Sequence, residues 1–372
     1  MSSIPRYMTA AVLTGFGGLD KLEIRNDVPV PLIRAGEVLI EVEACGINNT
    51  DINARAGWYN PSVRVGTTEE GGINGFVVED GRCSGGGKQI FEFPRIQGAD
   101  VAGRIAKVGE GVLTERIGEQ VLVDPRIRDQ KDPDNLDHTS YLGNGIDGGF
   151  AQFCKVPSIN AVTIHSSLSP EELATFPCSS STAELMLCRS RLSKSETILV
   201  TGASGGVGSA LIQLAKRRGA FVIALTSRQK FERIMILGAD EIVFRDTPDL
   251  AKVVKGVAPN QQIDVVADVA GGENFPIWIE CLRPGGRYVT SGAISGPIVE
   301  LDLRSLYLKD LDMLGATKIP RNIFLDLVRY IERKEIRPLL DETFPLESIR
   351  KAQQVFMEKN HVGNLVVIPP RI

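Results

Sequence analysis

The chain has 372 residues, enough for two or three domains of roughly 150 residues each. With 43% hydrophobic and 24% charged residues it has the composition of a globular protein, which argues against a disordered chain and against a coiled coil. The formal net charge of −4 provides no overall attraction to phosphate backbones or to anionic membranes. We therefore expect no nucleic-acid partner and no membrane partner.

Cysteine usage and apolar runs indicate the compartment. The six cysteines are scattered, with no Cys-x-x-Cys pair, and a chain of this size needs no disulfides for its core, so we expect reduced thiols and a cytoplasmic location. No apolar run reaches the length of about 18 residues that a membrane helix needs. The N-terminus lacks the pattern of a signal peptide and predicts the first strand of a domain.

The first third of the chain has the pattern of short strands separated by glycine and proline turns. Apolar or alternating runs occupy residues 10–13, 38–44, 101–108 and 120–123. Because few helical periods precede residue 168, we predict an antiparallel, barrel-like domain here.

The pattern changes at Ser169, which is followed by Pro170 and two glutamates. A serine N-cap, a proline at the first helical position and acidic residues in the first turn indicate a helix start. From about residue 197 strands and helices alternate, as in a parallel α/β sheet. The predicted elements are strands at 197–201, 221–225, 264–269 and 287–291, a helix at 320–333 and a last strand at 363–368.

Two segments, residues 66–87 and 124–149, predict loops too long to be simple connections. The first is rich in glycine and the second is rich in aspartate. A lid over a site and a mobile surface insertion both fit such segments, and the sequence leaves both interpretations open.

A glycine-rich turn gives the clearest cofactor signal. It comes directly after a predicted strand and opens an amphipathic helix, the arrangement that binds a dinucleotide pyrophosphate. Gly205 would let the backbone approach the phosphates, and Gly208 would let the helix pack closely on the strand. A glycine-rich turn without a ligand is the alternative. The candidate cofactor residues in this turn are Gly202, Ala203, Ser204, Gly205, Gly206, Val207 and Gly208.

The end of the next strand distinguishes the two dinucleotides. An NAD site usually carries an acidic residue here, which binds the ribose hydroxyl. This chain has Thr226, Ser227, Arg228 and Lys230 instead, and hydroxyls and cations suit a 2′-phosphate. The sequence therefore favours NADPH, although Arg228 and Lys230 could also simply begin a solvated helix.

Several of these motifs together resemble those of the medium-chain dehydrogenase/reductase superfamily, in particular its zinc-free, quinone oxidoreductase-like and alcohol dehydrogenase-like branch. The motifs are GINNTD at 46–51, QGADVAG at 97–103, Val108-Gly109, the glycine-rich turn, DVVAD at 264–268 and RPGGR at 283–287. The resemblance covers nearly the whole chain.

The resemblance implies an α/β fold made of two domains. A GroES-like, partly open β-barrel catalytic domain would occupy residues 1–167 and be completed by residues 320–372. A doubly wound parallel-sheet (Rossmann) domain at 168–319 would bind NADP(H), with the active site in the cleft between the domains. The resemblance also implies a homodimer and further cofactor contacts at Thr182, Gly292 and Ala293.

The metal sites of the superfamily are not matched. In zinc-dependent relatives a cysteine, a His-Glu pair and a second cysteine hold the catalytic metal, whereas this chain has Asn48, Ala99 and Asp100 at the first three positions and Cys178 at the last. The segment 124–149, where the resemblance places a four-cysteine structural lobe, contains no cysteine. A catalytic zinc needs three protein ligands, so we expect no metal.

Without zinc, hydrogen-bond donors must stabilise the charge that develops on the acceptor oxygen. In zinc-free relatives an asparagine and a tyrosine at the positions of Asn48 and Tyr59 line the pocket, and Thr50 aligns with a proton-relaying hydroxyl of the zinc enzymes. We take these three residues as candidate catalytic residues. Asn48 and Thr50 could instead only cap a turn, and Asp51 is expected to be a structural acid that binds backbone N–H groups.

The sequence thus predicts an NADPH-dependent oxidoreductase that transfers hydride to a small-molecule acceptor, a quinone or an α,β-unsaturated carbonyl compound. Two alternatives remain open: a zinc-independent alcohol or carbonyl dehydrogenase, and a catalytically idle protein that binds NADPH as a sensor.

Overall fold

A computed structural model describes residues 4–67, 69–78 and 91–371. The chain divides into two compact units. The N-terminal unit comprises Met1–Val63, Glu69–Cys178 and Pro320–Ile372, and the central unit comprises Arg64–Thr68 and Ser179–Ile319. None of the helices in the described part of the chain has the length and apolar character needed to cross a bilayer.

The N-terminal unit is built mainly from strands, numbered here along the whole chain. They are β1 (Tyr7–Leu13), β2 (Leu22–Pro29), β3 (Glu37–Ile47), β4 (Arg95–Ile96), β5 (Asp100–Val108), β6 (Gln120–Val123), β7 (Arg126–Ile127), β8 (Ser140–Tyr141), β9 (Phe153–Pro157), β10 (Ala161–Thr163), β17 (Leu340–Pro345) and β18 (Asn364–Ile368). Its helices are α1 (Asn49–Ala56), α2 (Glu69–Asn74), α3 (Pro170–Leu173), α10 (Arg321–Glu332) and α11 (Ile349–Glu358).

The long strand β3 is the centre of the main sheet, whose order is β10-β6-β5-β3-β18-β17. One edge of β3 pairs antiparallel with β5, while its other edge pairs first with β9 and then with β18. The described end strands β10 and β17 do not pair with each other, so the barrel is partly open. The predicted GroES-like barrel is confirmed, and the C-terminal strands join it through β18.

The central unit contains one parallel sheet flanked by helices. Its strands are β11 (Thr197–Val200), β12 (Phe221–Thr226), β13 (Glu241–Phe244), β14 (Ile263–Asp268), β15 (Leu282–Thr290) and β16 (Asp312–Gly315). Its helices are α4 (Pro177–Arg189), whose first two residues belong to the N-terminal unit, α5 (Gly206–Arg217), α6 (Phe231–Met235), α7 (Leu250–Val257), α8 (Phe275–Cys281) and α9 (Leu303–Tyr307).

The strand order β13-β12-β11-β14-β15-β16 reverses direction between β11 and β14. All five strand pairs are parallel, which gives the doubly wound topology. The predicted Rossmann sheet is confirmed. In such sheets ligands bind outside the carboxyl ends of the strands, next to the point of reversal.

The helix start at residue 169 is confirmed, but it opens only one turn. The Ser169 hydroxyl accepts the N–H of Glu172 at 3.2 Å, and the Glu172 carboxylate accepts the N–H of Ser169 at 2.8 Å. The resulting helix α3 packs against β3 and β5. The N-terminal unit extends to Cys178, eleven residues beyond the predicted boundary at 167.

The predicted loop at 66–87 is partly helical, because α2 covers Glu69–Asn74; residue 68 and residues 79–87 lie outside the described part. The second predicted loop, 124–149, is anchored by a buried ion pair. Arg128 donates to the Asp124 carboxylate at 2.8 and 2.9 Å, and the two side chains are 0% and 3% exposed. Asn160 donates to the backbone oxygens of Asp124 and Arg126. This segment is therefore held by polar contacts that its composition did not predict.

Candidate active site

Helix α1 begins where β3 ends, and Asn48 lies at the junction. Asp51, in the first turn of α1, accepts the backbone N–H of Asn48 at 2.8 Å and that of Gly98 at 3.2 Å. Asp51 is thus the backbone-binding structural acid expected from the sequence. Asn48 and Asp51 form a capping box at this helix start, so Asn48 does cap the turn, and its amide nitrogen bonds elsewhere.

The Asn48 side chain donates from Nδ2 to Oδ2 of Asp100 at 2.8 Å. The other carboxylate oxygen of Asp100 accepts the backbone N–H of Cys178, in the first turn of α4. Asp100 is 0% exposed. One buried carboxylate therefore joins three of the positions that hold zinc in the relatives described above.

A glycine makes room for this carboxylate. Gly46 in β3 is the cross-strand partner of Asp100 in β5. A Cβ at position 46 would lie 2.9 Å from Oδ2 of Asp100 and 2.5 Å from the carbonyl oxygen of Ala174. Any other residue at position 46 would push Asp100 away from Asn48 and Cys178.

Thr50 and Tyr59 lie together beside α1. The Tyr59 hydroxyl is hydrogen-bonded to the side chains of Thr50 and Asn53. Burial raises the pKa of Tyr59, and the nearby thiol of Cys178 adds to this rise. Tyr59 lies near Cys178, and Asn48 is linked to Cys178 through Asp100. The three predicted residues are thus brought to one region of the N-terminal unit.

Tyr141 is part of the same cluster and was missed by the sequence interpretation. Its hydroxyl donates to Sγ of Cys178 at 3.1 Å, and the guanidinium of Arg126 lies 5.1 Å from its ring centroid. Burial, reinforced by Cys178, raises the pKa of Tyr141 well above its usual value. Tyr141 lies in a segment predicted to be a loop, and Cys178 is 37 residues further along the chain. No local sequence pattern therefore indicated this contact.

The side chains at this cluster do not suit a zinc ion. Asn48 presents an amide N–H to Asp100, and Asp100 is already engaged by two hydrogen bonds. Asn48 and Ala99 offer no zinc ligand, which leaves only Asp100 and Cys178 of these four positions, and the Cys178 sulfur accepts a hydrogen bond from Tyr141. Among the described residues, no three or more His, Cys, Asp or Glu side chains are placed to hold a metal.

The glycine-rich turn of the central unit links β11 to α5. A Cβ at Gly208 would lie 2.2 Å from the carbonyl oxygen of Gly202, so only glycine permits this close packing of helix on strand. A Cβ at Gly205, by contrast, would meet only one atom, at 3.7 Å. The turn is therefore tight on its inner side and open at Gly205, where the N-terminus of the twelve-residue helix α5 offers its free N–H groups.

The end of β12 adjoins this turn. Thr226 is 5% exposed, and its buried hydroxyl has no hydrogen-bond partner among the residues that the structure describes. Lys230 donates to the Ser204 hydroxyl of the turn at 3.3 Å, so it does more than begin a solvated helix. Arg228 is exposed, lies over the ring of Phe244 and pairs with Asp246 at 3.2 Å.

Asp246, at the end of the neighbouring strand β13, was also missed, because it is 18 residues from Arg228. Gly292 and Ala293 follow the end of β15, at the same carboxyl edge of the sheet, and Thr182 lies on α4. An open glycine-rich turn, an unsatisfied hydroxyl and two cations fit a phosphorylated dinucleotide.

Comparisons with known proteins agree with both units. The family model described as alcohol dehydrogenase GroES-like domain matches residues 34–166, and the model described as zinc-binding dehydrogenase matches residues 206–333. A solved structure from Sinorhizobium meliloti 1021, named provisionally as an alcohol dehydrogenase, is 49% identical with a TM-score of 0.90; the match covers 100% of this chain and 99% of that one.

Some curated relatives are named for the dehydrogenation of alcohols, and others for the reduction of quinones or of alkenals and alkenones. An NAD-dependent alcohol dehydrogenase of Sulfurisphaera tokodaii is 27% identical over 97% of this chain and 100% of its own length. An NADPH-dependent alkenal/one oxidoreductase of Arabidopsis thaliana is 27% identical over 99% of this chain and 81% of its own length. Other relatives are named quinone oxidoreductase.

The two buried carboxyls at the cluster predict an unusual dependence of stability on pH. Burial raises the pKa of Asp51 and of Asp100 from 3.8 to about 7. Between these values the folded protein binds more protons than the unfolded chain, so these groups lower the free energy of unfolding as the pH rises. Asp100→Asn removes one such group. Relative to wild type, its free energy of unfolding should increase between about pH 5 and pH 8, as measured by urea denaturation.

The matched control is Asp326→Asn, which removes a half-exposed carboxylate paired with Arg329 on α10. Its difference from wild type should stay nearly constant over the same range of pH. A constant difference for Asp100→Asn as well would show that the Asp100 carboxyl is not destabilised by burial.

Proposed function

Because the chain belongs to the medium-chain dehydrogenase/reductase superfamily, and is therefore an oxidoreductase, we propose that it uses NADPH to reduce a quinone or an α,β-unsaturated carbonyl compound without zinc. The observation that carries this proposal is the hydrogen-bonded cluster of Asn48, Asp100 and Cys178. It occupies positions of the catalytic metal ligands with no more than two groups, Asp100 and Cys178, that could bind zinc, whereas a catalytic zinc needs three protein ligands.

The acceptor class follows from the groups that this cluster offers. Bound NADPH would supply a hydride, and the electron pair displaced in the acceptor collects on its oxygen. The N–H of Asn48 that does not bond to Asp100 and the hydroxyls of Thr50 and Tyr59 are neutral donors suited to that oxygen. Neutral donors polarise a carbonyl less than a metal ion does. Neutral donors can stabilise the negative charge that develops on an enone or a quinone more readily than that on a simple carbonyl compound, because the charge on an enone or a quinone is delocalised.

The first prediction on this function concerns the donors. If Tyr59 donates to the acceptor oxygen, Tyr59→Phe should lower kcat for quinones or enones by about 10²-fold, and Asn48→Ala should have an effect of similar size. The dissociation constant for NADPH should change little, because the cofactor residues belong to the central unit. Steady-state kinetics and NADPH fluorescence titration measure the two quantities.

Tyr7→Phe is the control, since it deletes a hydroxyl from an exposed tyrosine of the N-terminal unit, to which Tyr59 also belongs. It should leave kcat unchanged. If Tyr59→Phe and Asn48→Ala lower the melting temperature but keep the wild-type kcat, the two residues only support packing and the acceptor binds elsewhere.

The preference for NADPH is supported by the residues after β12. Neither Thr226, the last residue of β12, nor Ser227 after it is acidic. Lys230 hydrogen-bonds to Ser204 of the glycine-rich turn. Arg228 is close by, but it is paired with Asp246, so a 2′-phosphate would have to compete with that carboxylate for the guanidinium. The NADPH-dependent alkenal/one relative supports the same choice, whereas the NAD-dependent alcohol dehydrogenase relative does not.

The prediction on the cofactor is a change in binding. Arg228→Ala should raise the dissociation constant for NADPH by about tenfold, equivalent to about 1.4 kcal/mol, and should change that for NADH much less. Arg329→Ala, which removes an exposed arginine from α10, is the control. Tighter binding of NADH than of NADPH by the wild-type protein would contradict the proposal.

The absence of a zinc requirement also has a direct test. The purified protein should be active with far less than one zinc per chain by elemental analysis, and treatment with a chelator should leave kcat unchanged. Near-stoichiometric zinc that is lost together with activity would refute this part of the proposal.

A second candidate function is a zinc-independent alcohol or carbonyl dehydrogenase. The names of relatives favour it, as does the hydrogen bond between Thr50 and Tyr59, which is suited to proton transfer. NADP⁺-dependent oxidation of alcohols without any reduction of enones or quinones would support this candidate. Binding of NADPH without turnover of any acceptor would instead support a sensor.

The homodimer also remains a proposal. The described surface of the central unit exposes several large apolar side chains in one stretch of the chain, near the edge strand β16 of the parallel sheet. They are Ile298, Val299, Leu303, Tyr307, Leu308 and Met313. Exposed apolar side chains in and just before an end strand of a sheet are a candidate contact between copies.

A further inference from the structure

The N-terminal unit buries two carboxylates near α1, and they have different partners. Asp51 binds the backbone N–H groups of Asn48 and Gly98. Asp100 binds one backbone N–H, from Cys178, and one side chain, that of Asn48. Of the two carboxylates, Asp100 is thus the one that contacts a functional group proposed to serve the acceptor.

A carboxamide has two orientations of nearly the same shape, related by exchange of its oxygen and its NH₂ group. A carboxylate at one end removes this ambiguity, because it accepts from the NH₂ group and repels the oxygen. When Asp100 is ionised, its carboxylate at 2.8 Å requires Asn48 to turn Nδ2 toward position 100. One N–H then bonds to Asp100, and the second N–H and Oδ1 take fixed directions.

Asp100 can fix Asn48 only because Asp100 is itself held in place. It is the first residue of β5, paired with Gly46 in β3, and the missing side chain at position 46 leaves the space for its carboxylate. The N–H of Cys178 holds its second oxygen. Two strands and the first turn of α4 therefore determine the position of one carboxylate.

From this geometry we infer that Asp100 is a positioning residue of the acceptor site, which fixes the orientation of the Asn48 carboxamide. The inference rests on the proposed function and assigns different roles to Asp100 and Asn48. The carboxylate at position 100 is the anchor, and the carboxamide at position 48 is the group that serves the acceptor oxygen. If the hydrogen bond were purely structural, it would not matter for kcat which of the two positions carries the carboxylate and which the carboxamide.

Exchange of the residues at positions 48 and 100 tests this assignment of roles. In the double variant Asn48→Asp with Asp100→Asn, the amide at position 100 can donate to the carboxylate at position 48, so the buried hydrogen bond is kept. We expect a melting temperature near that of the wild type and an unchanged dissociation constant for NADPH. The kcat should fall by at least about 10²-fold, because the acceptor oxygen would meet a carboxylate in place of a donor. Assays at about pH 8.5 keep the carboxylates ionised.

A double-mutant cycle covers the possibility that the reversed pair does not fold. Asp100→Asn alone should lower kcat by about tenfold or more, since the amide at position 100 permits either orientation of Asn48. In the Asn48→Ala background the same change should have little further effect on kcat, because Asp100 acts through Asn48. Glu184→Gln, which removes a buried carboxylate paired with Arg218 in the central unit, is the control and should lower stability without changing kcat.

The outcomes separate this inference from the function on which it rests. Wild-type kcat in the reversed pair, or additive effects of Asp100→Asn and Asn48→Ala in the cycle, would overturn the positioning role even if Asn48→Ala is impaired. Wild-type kcat in Asn48→Ala would overturn both the positioning role and the proposed acceptor site. A lower kcat only in proportion to lost stability in Asp100→Asn would likewise reject the inference.

Discussion

The buried carboxylate of Asp100 is the constraint on which the candidate acceptor site depends. A carboxylate without exposure to water is costly unless hydrogen bonds satisfy it. Its two oxygens are satisfied by Asn48, at the start of α1, and by Cys178, in the first turn of α4. The need to satisfy this one group therefore brings two helix starts to the end of β3, where Gly46 leaves room for it.

The same unit satisfies buried polar groups at a second place. The segment 124–149 is held by the Asp124–Arg128 ion pair and by Asn160. Both arrangements need only side chains that are already ionised or polar in water. They also confer geometric specificity, because an unpaired partner would remain buried at high cost.

The central unit contrasts with this, because its candidate site is defined mainly by backbone geometry. The turn between β11 and α5 is determined by close packing at Gly208 and by the helix N-terminus. Side chains refine it: Lys230 contacts the turn, while Arg228 is shared with Asp246. General binding of a dinucleotide and selection between two dinucleotides thus depend on different kinds of interaction.

The sequence by itself determined those features that short-range patterns encode. Local residue preferences suffice to predict a feature whose residues are neighbours along the chain. Such features are the Ser169–Glu172 capping box, the glycine-rich turn and the individual strands of the parallel sheet. The tertiary structure alone decided that Asp100 meets Cys178, 78 residues away, that Tyr141 meets Cys178, and that Arg228 meets Asp246. Such contacts depend on strand register and on the packing of distant segments, which no local pattern of residues specifies.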